Sequence, residues 1–269
     1  MLQQMEEFQE NLMYENLFSL KDKVAAVVGG GGVLAGEMAM GLASAGADVS
    51  ILDFNLENAE KRAAEIRALG RRAQAVKVDA TSKSDLEAAR DAILGEFGHV
   101  DALVNAAGIN SATPFFEITE AEWHKILDVD LTSVFLACQV FGKTMVDAGH
   151  GGSIINISSA SSGPPLSKVF TYGVSKGGVN QVTMFLAREF APHKVRVNAI
   201  LPGFFPAEQN RKVLTPERVE QIMRHTPMNR FGEASELIGA TVYLASEKAA
   251  SFVTGAILRV DGGFMAMTI

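Results

Sequence analysis

Apolar residues fall along this chain in short blocks, and the blocks alternate between two spacings. Unbroken runs rich in Val, Ile, Leu and Ala occupy 24–28, 49–53, 73–78, 102–105, 153–157, 195–200 and 256–260. Each is about as long as a strand and is bounded by Gly, Asp, Asn or Ser. Each therefore predicts a strand buried on both faces. Between them the apolar positions recur at helical spacing, which predicts helices over 34–45, 61–69, 120–146 and 172–190, and one capped by Ser84 and running to 97. Gly46, Gly70 and Gly98 follow three of these, as helix ends favour. Strands alternating with helices predict an α/β domain: a doubly wound parallel sheet with helices on both faces. No repeat or change of composition divides 21–269, so it reads as one domain. Residues 1–20 read as an N-terminal arm, with Leu2, Met5, Phe8 and Leu12 spaced for a short amphipathic helix.

Composition narrows the function classes. The 269 residues are 48% hydrophobic and carry a net charge of −7, from 24 basic and 31 acidic side chains. No basic run appears, so neither nucleic acid nor an anionic membrane is an expected partner. The one cysteine, Cys138, sits in an apolar helical run; it excludes a disulfide framework and suits a reducing compartment. No uninterrupted apolar stretch reaches the ~18 residues of a membrane span. Residues 1–20 contain no Lys or Arg and so lack the basic start of a secretory signal. A cytoplasmic protein acting on a small molecule is the expectation, and no metal cluster is foreseen.

Candidate chemistry centres on Tyr172 and Lys176, four apart and hence one turn apart on a helix face. A free phenol titrates near ~10. A neighbouring ammonium favours the phenolate and lowers that value, making the pair suited to moving a proton at an alcohol or carbonyl oxygen. Ser159, 13 residues earlier and at a strand end, stands where a hydroxyl can bond the same oxygen. At the other end of the chain, the strand at 24–28 enters Gly29-Gly30-Gly31-Gly32 and then a helix. Glycines let a backbone approach a pyrophosphate, and a helix N-terminus offers free N–H groups. Asp53 ends the second strand, where a carboxylate accepts from both ribose hydroxyls and repels a 2′-phosphate; with no Lys or Arg between 24 and 60, NAD is expected over NADP. Asp79 and Asn105-Ala106-Ala107-Gly108 end the third and fourth strands, on the side where such sheets hold ligands. An Asp there suits an adenine amino group, and small residues suit a flat ring.

These features together resemble the short-chain dehydrogenase/reductase family from about 23 to 263, with Pro202-Gly203 and Val260-Asp261-Gly262-Gly263 completing the pattern. The resemblance implies a Rossmann-like, seven-stranded sheet and a nicotinamide cofactor. It implies Tyr172 as general acid/base, Lys176 as its partner and a ribose ligand, and Ser159 as the group orienting the substrate oxygen. Gly29, Gly32, Val33, Leu34, Asp53, Asp79, Ala80, Asn105, Ala106, Gly108, Tyr172, Lys176, Pro202, Gly203 and Phe205 are the implied cofactor contacts. Several positions depart from the family pattern. Val28, Val33 and Ala35 replace a Thr and two Gly of the phosphate loop, Ala106 replaces an Asn, and Ala207 replaces a frequent Thr. Asp130 stands where the family carries a structural Asn and is counted with the catalytic group.

Within the family, 204–211 (Phe-Phe-Pro-Ala-Glu-Gln-Asn-Arg) resembles the sugar-acid oxidoreductases acting on mannonate and fructuronate. A polyhydroxy acid needs amide partners and one cation. Gln209, Asn210 and Arg211 suit that need, with Asn110 and Ser111 adding hydroxyl contacts and Ser159 at the reacting oxygen; His225 is expected at the surface. The family is generally tetrameric, and apolar excess near Leu131, Phe141, Val179, Val182 and Phe185 suits helix packing between subunits. A 3-oxoacyl or general carbonyl reductase, and a nucleotide-binding scaffold without activity, stay open as alternatives.

Overall fold

The computed structural model describes residues 16–206 and 215–267. The expected helix at Leu2–Leu12, with most of the arm, lies outside the described residues. Seven strands form one parallel sheet: β1 Val24–Val28, β2 Asp48–Asp53, β3 Ala73–Lys77, β4 Ala102–Asn105, β5 Gly152–Ile157, β6 Val195–Pro202 and β7 Ile257–Val260. Their order is β3-β2-β1-β4-β5-β6-β7. The chain reverses direction across the sheet between β1 and β4, and that switch point opens a crevice beyond the strand C-termini. β1, β4 and β6 are buried along their whole length, as helices on both faces require.

One helical layer consists of α1 (Val33–Ser44), α2 (Leu56–Ala68) and α8 (Ile238–Ala245). Met38, Leu42, Ile66 and Leu244 pack there against Val27, Ile51 and Ile155. The other consists of α3 (Lys83–Phe97), α4 (Glu120–Leu127), α5 (Ser133–Ala148) and α6 (Phe170–Phe190). Leu86, Ile93, Phe141 and Val179 pack there against Val28, Leu103 and Ile154. Phe141 and Val179 are thus core and not the surface residues that subunit packing would need. An exposed helix, α7 (Pro216–His225), and a short one, α9 (Glu247–Ala250), complete the set.

Three expectations need correction. The cap of α3 is Ser82, not Ser84: Ser82 Oγ accepts from Asp85 N at 3.3 Å and donates to its carboxylate at 2.8 Å. α2 begins at Leu56, five residues early, because Asn55 Oδ1 accepts from Asn58 N at 3.2 Å. The helix expected over 120–146 is two helices joined by a π-helical turn, Asp128–Thr132. The whole run Glu120–Ala148 is long and apolar enough to cross a membrane by composition, and half of its most apolar window is buried within the fold.

A buried polar chain ties the centre of the sheet to α6. Asn105 Nδ2 donates to Asn156 Oδ1 at 2.9 Å and to Cys138 Sγ at 3.3 Å; Asn156 Nδ2 donates to Thr183 Oγ1 at 3.0 Å. The hydroxyl of Thr183 returns its proton to Val179 O at 2.8 Å. Asn105 on β4, Asn156 on β5 and Thr183 on α6 are thereby locked in register. This sets the height of the site above the sheet.

Candidate active site

The Gly-rich turn lies flat against the ends of two neighbouring strands. Gly29 has φ +76°, and a Cβ there would meet Ala107 N at 2.8 Å. A Cβ on Gly31 would meet Asp53 Oδ2 and Asn58 Cβ, each at 2.9 Å. Gly32 is the N-cap of α1 and has no side chain to satisfy the helix. The first N–H groups, those of Val33, Leu34 and Ala35, therefore lack intrahelical acceptors and face outward as an anion seat. The Val33 side chain, 51% exposed, points to solvent, and Ala35 is core. The two replaced glycines are thus met by glycines one to three positions earlier in the turn. The cradle fits a dinucleotide pyrophosphate.

Asp53 closes the turn. Its Oδ2 accepts from Gly31 N at 3.0 Å and its Oδ1 from Asn55 N at 2.8 Å, leaving lone pairs on both oxygens for hydroxyl donors. Arg62, just beyond the cation-free stretch, is engaged by Glu65 at 2.9 Å and Glu37 at 3.4 Å. Lys77, beside Asp53 in the β2–β3 register, holds its ammonium over the Phe54 ring at 5.8 Å. Asp79 forms a tight turn: its Oδ1 accepts from Thr81 N at 2.9 Å and from Thr81 Oγ1 at 2.6 Å, beside Ala80.

Two expected cofactor contacts place their side chains elsewhere. The Asn105 amide nitrogen is engaged in the core chain described above, and its oxygen is buried without a partner among the described residues. The Phe205 ring is buried against Gly232, and it joins the α1 layer. Ala106 and Gly108 line the loop after β4. Pro202 ends β6, and a Cβ on Gly203 would meet Asp261 Cα at 2.7 Å. Asp261 in turn accepts from Gly263 N and Met265 N at 2.9 Å each, which is the work of the Val-Asp-Gly-Gly pattern.

The reactive side chains converge at the ends of β5 and α6. Ser159, extended at the N-cap of a short 3₁₀ turn, shares a hydrogen bond with Ser161 Oγ at 2.7 Å. Ser158 Oγ donates to Lys176 O at 3.3 Å and ties that turn to α6, a contact no motif foretold. Lys176 is buried; its Nζ donates to Ile157 O at 3.1 Å and lies 5.6 Å from the centre of the Tyr172 ring. The π-turn carries Asp130 beneath them, fully buried, with Oδ1 accepting from Ile109 N at 2.7 Å. Ser159, Tyr172, Lys176 and Asp130 therefore form one cluster.

Its electrostatics differ from the expectation that Lys176 makes Tyr172 more acidic. Burial pushes the Tyr172 phenol up to about 12; the Ser159 hydrogen bond lowers it, and the Asp130 carboxylate raises it. Burial also lowers Lys176, and Asp130 opposes that shift. Asp130 itself is pushed up to about 6 by burial, against the pull of Lys176, the Ile109 N–H and the Ser175 hydroxyl. Desolvation is the largest influence on the phenol in the protein alone.

Of the expected substrate contacts, Asn110 is exposed at the crevice loop and accepts from Ser111 N at 2.7 Å. Gln209, Asn210 and Arg211 lie outside the described residues, as does Ala207. α7, which follows them, docks through Arg218, whose guanidinium donates to Ser167 Oγ at 3.0 Å and Ser167 O at 3.1 Å in the loop before α6. His225 is exposed, its ring 5.8 Å from that of Phe264.

A switch-point crevice with a glycine cradle on one side and a serine–tyrosine–lysine cluster on the other defines a nicotinamide-dependent oxidoreductase. The family model described as enoyl-(acyl carrier protein) reductase matches residues 32–265. The chain belongs to the short-chain dehydrogenase/reductase family, and among its relatives are named dehydrogenases that act on CH–OH groups. It is 37% identical to 2-dehydro-3-deoxy-D-gluconate 5-dehydrogenase of Escherichia coli, over 94% of this chain and 100% of the relative. Among solved structures, a putative D-mannonate oxidoreductase from Haemophilus influenza with bound NAD superposes with a TM-score of 0.89, at 34% identity over 93% of this chain and 97% of that one. A gluconate 5-dehydrogenase from Burkholderia cenocepacia in complex with NADP and tartrate superposes with a TM-score of 0.89, at 33% identity over 94% and 99%.

Proposed function

We propose that this protein transfers a hydride between NAD and the secondary alcohol or ketone of a sugar acid such as mannonate, fructuronate or gluconate. The observation that carries the reaction is the convergence of Ser159, Tyr172 and Lys176 at the crevice. The sugar-acid assignment draws support from relatives that match the chain over more than nine-tenths of its length. Bound in the crevice, nicotinamide supplies the hydride donor or acceptor. Tyr172 gives a proton to the substrate oxygen during reduction and takes it back during oxidation. Ser159 donates a hydrogen bond to that oxygen as charge builds on it. Lys176 keeps a positive charge near the exchange. Arg211 holds the substrate carboxylate, with Gln209, Asn210 and Asn110 on its hydroxyls. The test is a panel of mannonate, gluconate, polyols and 3-oxoacyl esters, read at the NADH absorbance band. Turnover of a sugar acid supports the reading, and preferred turnover of 3-oxoacyl esters overturns it.

NAD is the proposed cofactor because Asp53 offers lone pairs on both oxygens and Arg62 is held by two glutamates. Replacing Asp53 with Ala removes a charge-assisted acceptor and the repulsion toward a 2′-phosphate. The NAD-over-NADP ratio of kcat/KM is expected to fall by about 10²-fold, and an unchanged ratio contradicts the assignment. The protein acts in the cytoplasm as a homotetramer in this reading. Phe135 on α5 and Phe185 on α6 are 49% and 68% exposed, and Val174 and Met184 on α6 are exposed with them. Light scattering on the eluting protein is expected to give four times 28.7 kDa.

A further inference from the structure

Asp130 has a feature that the reaction above does not use. Its side chain is completely buried, and while Oδ1 holds the Ile109 N–H, Oδ2 has no hydrogen-bond partner among the described residues; the nearby Ser175 hydroxyl gives its proton to Tyr172 O at 2.7 Å. The nearest cation to Oδ2 is Lys176 Nζ, at 3.9 Å, too long for a hydrogen bond and within ion-pair reach. A Cβ on the exposed Gly108 would sit 3.5 Å from both atoms, so the pair lies directly under the loop lining the crevice. The π-turn sets this geometry: one extra residue per turn drops Asp130 inward between α6 and the loop after β4.

We propose that Asp130 is a positioning residue acting through Lys176: its free oxygen is the buried counter-charge of the ammonium, and the neutralised pair keeps Tyr172 a phenol, ready to give its proton to a carbonyl oxygen. Two opposite charges side by side present little net field to a third group. An ammonium by itself favours a neighbouring phenolate, and an ammonium paired with a carboxylate does so far less. The titratable groups facing Asp130 are Lys176 and Tyr172, both from α6. The β4 loop presents only the Ile109 N–H, and Asp128 of the same turn is exposed and bonded by Thr132 Oγ1 at 3.3 Å. Burial pushes Asp130 up to about 6, so the counter-charge is present at neutral pH and is lost as the pH falls through that value. This device favours ketone reduction at neutral pH and moves efficient alcohol oxidation to alkaline pH. It rests on the proton-transfer role proposed for Tyr172.

The experiment has two arms on the full chain. In the first, Asp130→Asn keeps the acceptor for Ile109 N and removes the charge. The alkaline inflection of kcat/KM for alcohol oxidation is expected to move down by about one unit, a tenfold gain in rate at a fixed pH below it. An inflection that stays in place or moves up overturns the proposal. The second arm needs neither substrate nor cofactor. With ¹³C-labelled lysine and aspartate, the Asp130 carboxyl carbon is expected to titrate near 6, with the Lys176 ε-carbon following the same midpoint in the parent and losing that step in Asp130→Asn. A Lys176 signal with no such step shows the two groups uncoupled and overturns the proposal. If no alcohol in the panel turns over while the second arm succeeds, it is the proposed function that fails.

Discussion

Tyr172→Phe is expected to lower kcat by about 10²–10⁴-fold while leaving the fold and cofactor affinity close to the parent's. The substitution removes one oxygen and keeps the ring, so the contact of that ring with Lys176 Nζ, one turn along α6 at 5.6 Å, persists. The partner left behind is not stranded. Ser159 still shares its hydrogen bond with Ser161 at 2.7 Å, so no buried hydroxyl loses its last contact. The loss is therefore confined to the proton step, and it appears in kcat in both directions. Steady-state kinetics together with NADH binding separate the two effects. A phenylalanine protein retaining more than about a tenth of the parent rate places the acid/base elsewhere.

The second large effect is expected at the cradle. In Gly29→Ala the new methyl group meets Ala107 N at 2.8 Å and Ala106 C at 3.0 Å, all backbone, at φ +76°. Neither the strained turn nor the β4 loop can yield without opening the crevice. The left-handed conformation alone costs an L-residue about 1–2 kcal/mol, and the overlap raises the total to roughly 3 or more. Melting is expected to fall by on the order of 10 °C, with dinucleotide affinity reduced at least about tenfold. Gly98→Ala separates strain from collision. It shares a positive φ, +85°, but nothing lies within 4 Å of its Cβ position. That protein is expected to lose about 1 kcal/mol and to bind NADH normally. Equal damage from both substitutions shows that the β4 contact contributes nothing.

Much of this architecture is legible in the residues because buried parallel strands leave unbroken apolar runs. β1 and β4 fall where those runs do, residue for residue, and β5 to within one. Ends set by side-chain caps were harder. Ser82 and Ser84 are equally good cap residues, and only Asp85, which bonds Ser82 from both sides, decides between them. The start of α2 carries Asn55 and Glu57 but little apolar periodicity, so pattern alone began it late. The π-turn leaves no trace at all, since α4 and α5 share one helical spacing and the extra residue hides between them. α7 did have a signal, Thr215-Pro216-Glu217, a cap followed by proline at the first helical position. The motif residues Ser159, Tyr172 and Lys176 were legible as a set. The inward turn of Asn105 and the high phenol value were not, because both depend on what is buried beside them.

The hydrogen-bonded chain from Asn105 through Asn156 to Thr183 has one more member whose state matters. Cys138 is wholly enclosed by it, and burial pushes its thiol up to about 12, so a nucleophilic thiolate is disfavoured in the native fold. Oxidation and disulfide exchange need a thiolate to attack the peroxide or the disulfide sulfur, and the buried protonated thiol of Cys138 supplies none. The reaction is thereby insulated from thiol redox chemistry: Cys138 neither throttles it nor is lost to oxidation while the protein stays folded.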